Sequence, residues 1–156
     1  MTTEQLQELS ENPKKFLNRC RRYEQRIRLK KDQIQHYRDM ELSITAPLKE
    51  ALSFGSGPTS KIENCTVSIM GLEEDIQKEI LALQKDRVLI REAINLVDDE
   101  DLRQLLEARY LNELKWEEIS LLMSYSYRWT LRLHGRALKY LSQKAKEVPQ
   151  SHIELR

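Results

Sequence analysis

Four cationic side chains share one face of a predicted helix near the C-terminal end of the sequence. Projected at about 100° per residue, they fall within roughly a third of the helix circumference. They are Arg128, Arg132, Arg136 and Lys139. No acidic residue lies between positions 126 and 146, so nothing nearby in the sequence neutralises this face. Guanidinium groups donate paired hydrogen bonds to phosphates and to guanine edges, and the pattern therefore predicts a surface that binds a polyanion.

A short helix and a tight connection are predicted directly before this basic helix. Residues 116–123 fit one helix with Ile119, Leu122 and Met123 facing inward. Residues 124–126 then form a turn, and Ser126 is suited to cap the basic helix. A short helix, a turn and a basic helix form the layout that places a recognition helix in the major groove of double-stranded DNA. The layout favours DNA binding over a merely solvated helix surface.

The residues predicted to contact DNA lie at the start of the basic helix and along its cationic face. They are Ser126, Tyr127, Arg128, Trp129, Arg132, Arg136 and Lys139. Arg128 and Arg132 are assigned to base edges, and Arg136 and Lys139 to phosphates. Three interpretations of Trp129 stay open: packing on a neighbouring helix, stacking over an arginine, or contact with a thymine methyl group.

Two long amphipathic helices are predicted upstream. The first has apolar residues at alternating three- and four-residue steps from Phe16 to Ile44, interrupted by Lys30 and Glu41. The second has an unbroken seven-residue repeat formed by Ile62, Ile69, Ile76, Leu83, Ile90 and Val97. Its companion seam is weaker because Glu79 and Asp86 interrupt it.

A segment rich in glycine and proline, from Thr45 to Ser60, separates the two helices. We expect a short helical turn around residues 48–52 and then a loop. Ser60 and Glu63 form a capping-box pair, which predicts a helix start at this point. An antiparallel hairpin is the simplest arrangement of the two helices, and self-association into a bundle is the alternative.

A second basic block lies beside the apolar seam of the first helix, formed by Lys15, Arg19, Arg22 and Arg26. These side chains could hold phosphates. They could equally pair with acids of the second helix, such as Glu79 or Asp86, as the flanking charges of coiled coils do. We favour the second interpretation.

The sequence therefore predicts an all-α protein. Residues 1–97 form a helical hairpin or coiled-coil arm with a loop at about 45–60, residues 98–148 form a helix-turn-helix domain, and residues 149–156 form a flexible tail. Within 98–148 three helices are expected at about 99–111, 116–123 and 127–144. Asp98 is predicted to cap the first of them.

No pattern typical of catalysis is present in the sequence. There is no glycine-rich phosphate loop and no nucleophile motif, while His36, His134 and His152 lack metal-ligand spacing. His134 falls on the packed side of the basic helix and is interpreted as a core histidine. The two cysteines also lack metal-ligand spacing. We expect a protein that is not an enzyme, binds no cofactor, metal or small-molecule substrate, does not enter a membrane and resides in the cytoplasm.

Three stretches resemble region 4 of bacterial sigma factors: Leu105-Leu-Glu-Ala-Arg-Tyr110, Trp116-Glu-Glu-Ile119 and Gly135-Arg-Ala-Leu138. Two further stretches are similar to the sigma-region-4-like phage regulators related to RinA and ArpU. These are Tyr125-Ser-Tyr-Arg128 and Arg132-Leu-His-Gly-Arg-Ala-Leu138. The resemblance implies a phage or prophage transcriptional regulator of late genes, acting in a bacterial host cell, that binds promoter DNA and contacts RNA polymerase.

The sequence departs from that pattern at four positions, one of which is Ser120, where a small Ala is usual. Lys115 stands where a capping Ser or Thr is usual, and Ser124 stands where the turn usually has Gly, so Ser124 is expected to adopt a left-handed conformation. Trp129 replaces a polar residue on the face turned toward the groove. These departures bear on base preference more than on the fold.

Two other functions remain as alternatives. A DNA-packaging protein of the small-terminase kind would also bind DNA but would assemble rings. A helical adaptor would use the basic helix on an acidic protein partner. The expected partners under the favoured hypothesis are double-stranded DNA, RNA polymerase and a second copy of the chain bound through the arm.

Overall fold

A computed structural model describes the backbone of residues 1–51 and 59–148, and the burial of side chains in 1–45 and 60–148. All regular secondary structure in these ranges is helical, so the predicted all-α class is confirmed. The elements are α1 (Thr3–Glu11), α2 (Pro13–Leu17), α3 (Arg19–Ala51), α4 (Thr59–Ile94), α5 (Glu100–Leu106), a π-helical turn (Glu107–Leu111), α6 (Trp116–Met123) and α7 (Tyr127–Glu147).

The break between the two long helices is shorter than predicted. Helix α3 continues to Ala51, so the short helical turn expected near residue 48 is part of α3. Helix α4 begins at Thr59, one residue before the predicted Ser60. The rest of the predicted loop, residues 52–58, and the predicted tail, residues 149–156, lie outside the described residues.

The chain forms two compact units whose boundary differs from the predicted division after residue 97. One unit combines Met1–Cys20 with Gln84–Arg156, and the other consists of Arg21–Leu83. Residues 1–20 belong to the same unit as α7 because α1 and α2 pack on α7. Their apolar side chains are removed from water there: Leu6, Leu9, Phe16 and Leu17 are all buried.

In the unit formed by Arg21–Leu83, α3 and α4 pair in antiparallel orientation. Arg26 Nε lies 3.2 Å from Glu79 Oε1, and Arg38 lies 3.5 Å from Glu73, so residue numbers fall on α4 as they rise on α3. Ile76 of the seven-residue repeat is buried, as are Ile34 and Cys65. The other repeat positions in this unit, Ile62, Ile69 and Leu83, are half-buried.

Lys30 and Glu41, the polar residues that interrupt the apolar seam of α3, both bind polar side chains of α4. Lys30 Nζ donates a 3.0 Å hydrogen bond to Glu79 Oε1, and the Thr66 hydroxyl donates a 3.0 Å hydrogen bond to Glu41 Oε1. Polar pairs inside an apolar seam penalise other registers, because a shifted helix leaves each partner unpaired. The interruptions that weaken the sequence pattern therefore help to fix how α3 and α4 align.

The basic block of the first long helix follows the favoured interpretation at two positions. Arg26 pairs with Glu79, and Arg19 Nε lies 3.6 Å from Asp86 Oδ2. Lys15 and Arg22 are exposed. Two of the four basic residues therefore pair with acids of α4, beside the apolar contact between α3 and α4.

In the other unit, the acidic cluster after α4 caps α5, but through a different residue than predicted. The prediction that Asp98 is the cap is wrong: Asp99 accepts a 3.0 Å hydrogen bond from the Leu102 N–H. Asp98 instead accepts a 2.8 Å hydrogen bond from the Tyr140 hydroxyl and lies 3.1 Å from Lys144 Nζ. These contacts, the hydrogen bond from Tyr140 first, lower the pKa of Asp98. Asp98 therefore binds the C-terminal half of α7 to the segment that precedes α5.

Candidate nucleic-acid interface

A three-residue connection, 124–126, joins α6 to α7. Ser124 adopts the left-handed conformation expected from its position, with φ 57° and ψ 37°. The N–H of Tyr125 donates a 2.9 Å hydrogen bond to the Ser120 carbonyl and thereby closes α6. Ser126 caps α7 as predicted, since its hydroxyl accepts a 3.1 Å hydrogen bond from the Trp129 N–H. The direction in which α7 leaves the turn is thus fixed by hydrogen bonds on both sides.

The start of α6 is capped from one side only. Lys115 occupies the N-cap, where its ammonium group has no acceptor to offer the first N–H groups. Glu118 reaches back and accepts a 2.8 Å hydrogen bond from the Lys115 N–H. One half of a capping box is therefore present, and the departure noted in the sequence is a real local deficit.

The predicted cationic face of α7 is exposed along its length. Arg128, Arg132, Arg136 and Lys139 are all exposed. Among the residues that the structure describes, none of the four has an acidic group within ion-pair distance. Ser126 and Tyr127 are exposed at the start of the same helix, with Tyr127 at 47%. The structure thus brings all the predicted contact residues together at one end and along one face of α7.

One of the three interpretations of Trp129 matches the observed contact. The guanidinium carbon of Arg136 lies 5.0 Å from the centre of the Trp129 ring, within the range of a cation–π interaction. Trp129 is half-buried. The indole therefore lies beside the exposed Arg136 guanidinium on the surface of α7.

The opposite face of α7 is buried. Its six buried side chains are Thr130, Leu133, His134, Ala137, Leu141 and Ala145. This two-sided character, charged outside and apolar inside, fixes which face of α7 is available to a ligand.

His134 is the polar centre of that buried face, as predicted for a core histidine. Its Nε2 lies 2.7 Å from the Tyr110 hydroxyl, and its ring centre lies 4.5 Å from that of Trp116. Burial is the main cause that lowers the pKa of His134 to about 4, and the positive charges of Lys14 and Arg109 add to it. The imidazole is therefore neutral at physiological pH and packs as part of the core.

One inward-facing residue of α6 was predicted wrongly. Ile119 is fully buried and Met123 is half-buried, but Leu122 is 67% exposed. The buried position is taken instead by Ser120, whose hydroxyl donates a 2.8 Å hydrogen bond to the Glu117 carbonyl. A small side chain at this position suits a close packing distance between helices.

Helices α1 and α2 are part of the framework that holds α7, and their role was missed in the sequence. The Ser142 hydroxyl donates a hydrogen bond to the Ser10 carbonyl, which ties α1 to the second half of α7. Thr2 and Gln5 form a complete capping box, and Asn12 caps a helix that has Pro13 at its first position. These start signals were available in the sequence and separate residues 1–17 from the long helix that follows.

Comparisons with known proteins give no assignment: no family model, no curated protein and no solved structure matches the chain. None of the helices in the described ranges is both long and apolar enough to cross a membrane. Within the same ranges, no three His, Cys, Asp or Glu side chains are grouped closely enough to hold a metal ion. The candidate interface is therefore inferred from the positions and charges of the residues of α6 and α7.

Proposed function

We propose that this chain binds double-stranded DNA through α6 and α7 as a helix-turn-helix, and acts as a transcriptional regulator of the sigma-region-4-like phage type. The observation that carries the proposal is the exposed face of α7. Its cations, Arg128, Arg132, Arg136 and Lys139, have no acidic partner in the part of the chain that the structure describes. A surface of this kind attracts phosphates through charge and displaces the counterions of DNA.

The proposed division of labour follows the position of each residue on α7. Arg128 and Arg132 lie in the first turns, which are the part of a recognition helix that reaches base edges. Arg136 and Lys139 lie further along and are assigned to phosphates. The exposed start of α7 adds the partial positive charge of a helix N-terminus near Ser126 and Tyr127.

The buried side of α7 supports the proposal because base reading needs a rigid helix. Neutral His134, the Tyr110 hydroxyl and the Trp116 ring form a close-packed group behind the cationic face. Arg109 closes this group: its guanidinium lies 4.6 Å from the Trp116 ring centre and donates a 2.9 Å hydrogen bond to the Leu114 carbonyl. Side chains on a fixed scaffold lose less conformational entropy when they bind.

The regulator role rests on the residues that resemble sigma region 4, from 102 to 141, together with the exposed α7 face. In this proposal α3 and α4 form the hairpin arm, and RNA polymerase is the candidate protein partner. A packaging role would require a ring, and an adaptor role would require that DNA is not bound. Both are outcomes of the test below.

The test begins with selection of binding sites from a random pool of double-stranded DNA, followed by fluorescence anisotropy at roughly 50 and 200 mM salt. We expect an enriched sequence that is bound more tightly than unselected DNA at both salt concentrations. The variant Arg128→Ala/Arg132→Ala should lose this preference. The control is Arg21→Ala/Arg28→Ala, which removes two exposed arginines from α3 and the same total charge.

The proposal is overturned if no sequence is enriched, or if the control variant loses as much affinity as the α7 variant. Light scattering on the same samples separates regulation from packaging, because a ring of many copies would support packaging. Uniform, weak binding that disappears at the higher salt concentration would leave the adaptor role as the better account.

A further inference from the structure

Helix α4 carries a second apolar stripe that none of the described residues covers. Val67 is 68% exposed, Met70 63% and Leu81 60%. At about 100° per residue these three side chains lie within roughly 60° of one another around the helix. They point roughly 150° away from the buried Cys65 and Ile76 of the same helix. The stripe is therefore separate from the seam by which α4 pairs with α3.

The first half of this stripe has the shape of a coiled-coil hole. Val67, Met70, Gly71 and Glu74 have the spacing i, i+3, i+4 and i+7, which forms the four corners that receive one knob from a facing helix. Gly71 is exposed, and a Cβ added there would meet no atom within 4 Å. The hole is open on the side of the glycine. Leu81, on the same face, is a knob of suitable size.

The charges beside the stripe are arranged so that it complements itself. Glu74 and Lys78 are each 72% exposed and lie 3.6 Å apart within one chain. An antiparallel copy that places its Leu81 over Gly71 also places its Lys78 opposite Glu74, and the reverse contact forms by symmetry. A parallel copy would place Glu74 against Glu74, which is repulsive.

We propose that this stripe binds a second copy of the chain through antiparallel, two-fold pairing of α4. Two knobs and two reciprocal ion pairs form in the same register, which uses the apolar and the charged residues of the stripe at once. The pairing does not depend on DNA binding. It would give each assembly two copies of α7, as two-fold-symmetric DNA sites require.

The first test measures the monomer–dimer equilibrium of the full chain by sedimentation velocity over a dilution series. We expect the wild type to dimerise in a concentration-dependent way, and Leu81→Lys to weaken the dimer by at least about tenfold. The matched control is Leu29→Lys, since Leu29 on α3 is also 60% exposed. This variant should dimerise like the wild type. A wild type that stays monomeric throughout, or an equal effect of both variants, overturns the proposal.

The second test uses charge reversal to ask whether Glu74 and Lys78 lie at the contact between the two chains. Glu74→Lys and Lys78→Glu should each weaken self-association, because each places like charges opposite one another. An equimolar mixture of the two variants should recover a dimer of one chain of each kind. In that dimer the two substituted positions carry opposite charges and face one another, and the unchanged Lys78 of one chain faces the unchanged Glu74 of the other.

Mixing restores no contact within a single chain, so recovery reports the contact between chains alone. Circular dichroism confirms that each variant is helical. A mixture that stays monomeric contradicts the proposal.

Discussion

Helices α3 and α7 are the two arginine-rich helices of the chain. Some cations of α3 pair with acids of α4, although Arg21, Arg22 and Arg28 are exposed, whereas no cation on the exposed face of α7 has an acidic partner in the described residues. On α3, Arg26 and Lys30 both contact Glu79, and Arg38 contacts Glu73. On α7, the cations of the exposed face have no acidic partner in the described chain, while Lys144, on another side of the helix, pairs with Asp98. Charge that is paired inside a helix pair fixes register, whereas charge that is left unpaired on a rigid helix is free to bind a ligand.

The two helices also differ in what lies behind their charges. Six side chains of α7 are buried in one packed face. On α3, by contrast, the described residues of the unit 21–83 include one buried apolar side chain, Ile34, and the seam is completed by ion pairs. Whether a basic helix of this chain is available to a ligand therefore depends on the residues that pack against that helix.

The largest expected effect tests the free charges of α7 directly. Replacing Arg128 and Arg132 by alanine should weaken binding to the selected DNA site by about 2–6 kcal/mol, at about 1–3 kcal/mol for each base contact. Where either arginine contacts a phosphate, the slope of log affinity against log salt should fall by about 0.9. Anisotropy over a salt series measures both quantities. The control Arg21→Ala/Arg28→Ala should leave the slope unchanged, and an equal reduction would remove the distinction between the two helices.

The next effect concerns the packed face of α7 and depends on pH. The pKa of His134 is lowered to about 4 in the folded chain, against about 6.5 in an unfolded one. Folding therefore favours the neutral form of His134, and the contribution of this residue to the free energy of unfolding is fully present above pH 6.5. As the pH falls from 6.5 to 4 the unfolded state takes up the proton first, and about 3 kcal/mol is lost.

Chemical denaturation of the wild type and of His134→Gln at pH 7 and pH 4 measures this contribution. Glutamine keeps a polar end group but does not titrate in this range. The variant should therefore lose less stability than the wild type between the two pH values. Equal losses would show that His134 is not the group responsible.

A smaller effect is expected for the ion pairs of α3. Glu79→Ala leaves Lys30 and Arg26 without their shared acceptor and should cost about 1–3 kcal/mol. Lys30→Leu/Glu79→Leu should cost less, because an apolar pair replaces a desolvated charged one. Urea denaturation of the three proteins decides between these outcomes. If the double variant is the less stable one, the pair contributes stability as well as register.

The smallest expected effect is a gain in stability from a better cap at the start of α6. Lys115→Ser supplies the missing hydroxyl acceptor and completes a capping box with Glu118, which should stabilise the chain by about 1 kcal/mol. The melting temperature should rise by a few degrees. Lys115→Ala has no acceptor and serves as the control. A gain of the same size in both variants would mean that removal of the lysine, and not capping, is responsible.

Much of the fold follows from periodicity and caps. The seven-residue repeat predicted α4, and the Ser126 cap with the apolar face behind it predicted α7. The residues of the candidate interface followed from the same helical projection. Short segments were less predictable: in the eight-residue helix α6 the prediction placed Ile119, Leu122 and Met123 inward, and Leu122 is exposed.

The other differences come from contacts that the sequence pattern does not show. Asp98 and Asp99 are both good capping residues, and the choice between them depends on the hydrogen bond that Tyr140 donates to Asp98. Phe16 continues the apolar spacing of the first long helix, so it was assigned to that helix although it is buried in α2. In the case of Asp98, a residue 42 positions away in the sequence makes the contact.

The packing of α1 and α2 on α7 has a consequence for how the chain folds during synthesis. Ser10 and Ser142, which share a hydrogen bond, are 132 positions apart. Residues 1–17 are synthesised well before α7 (Tyr127–Glu147), the helix that covers them. Until then Leu6, Leu9 and Phe16 have no α7 to bury them, and a nascent chain halted before residue 127 would present these side chains to a chaperone.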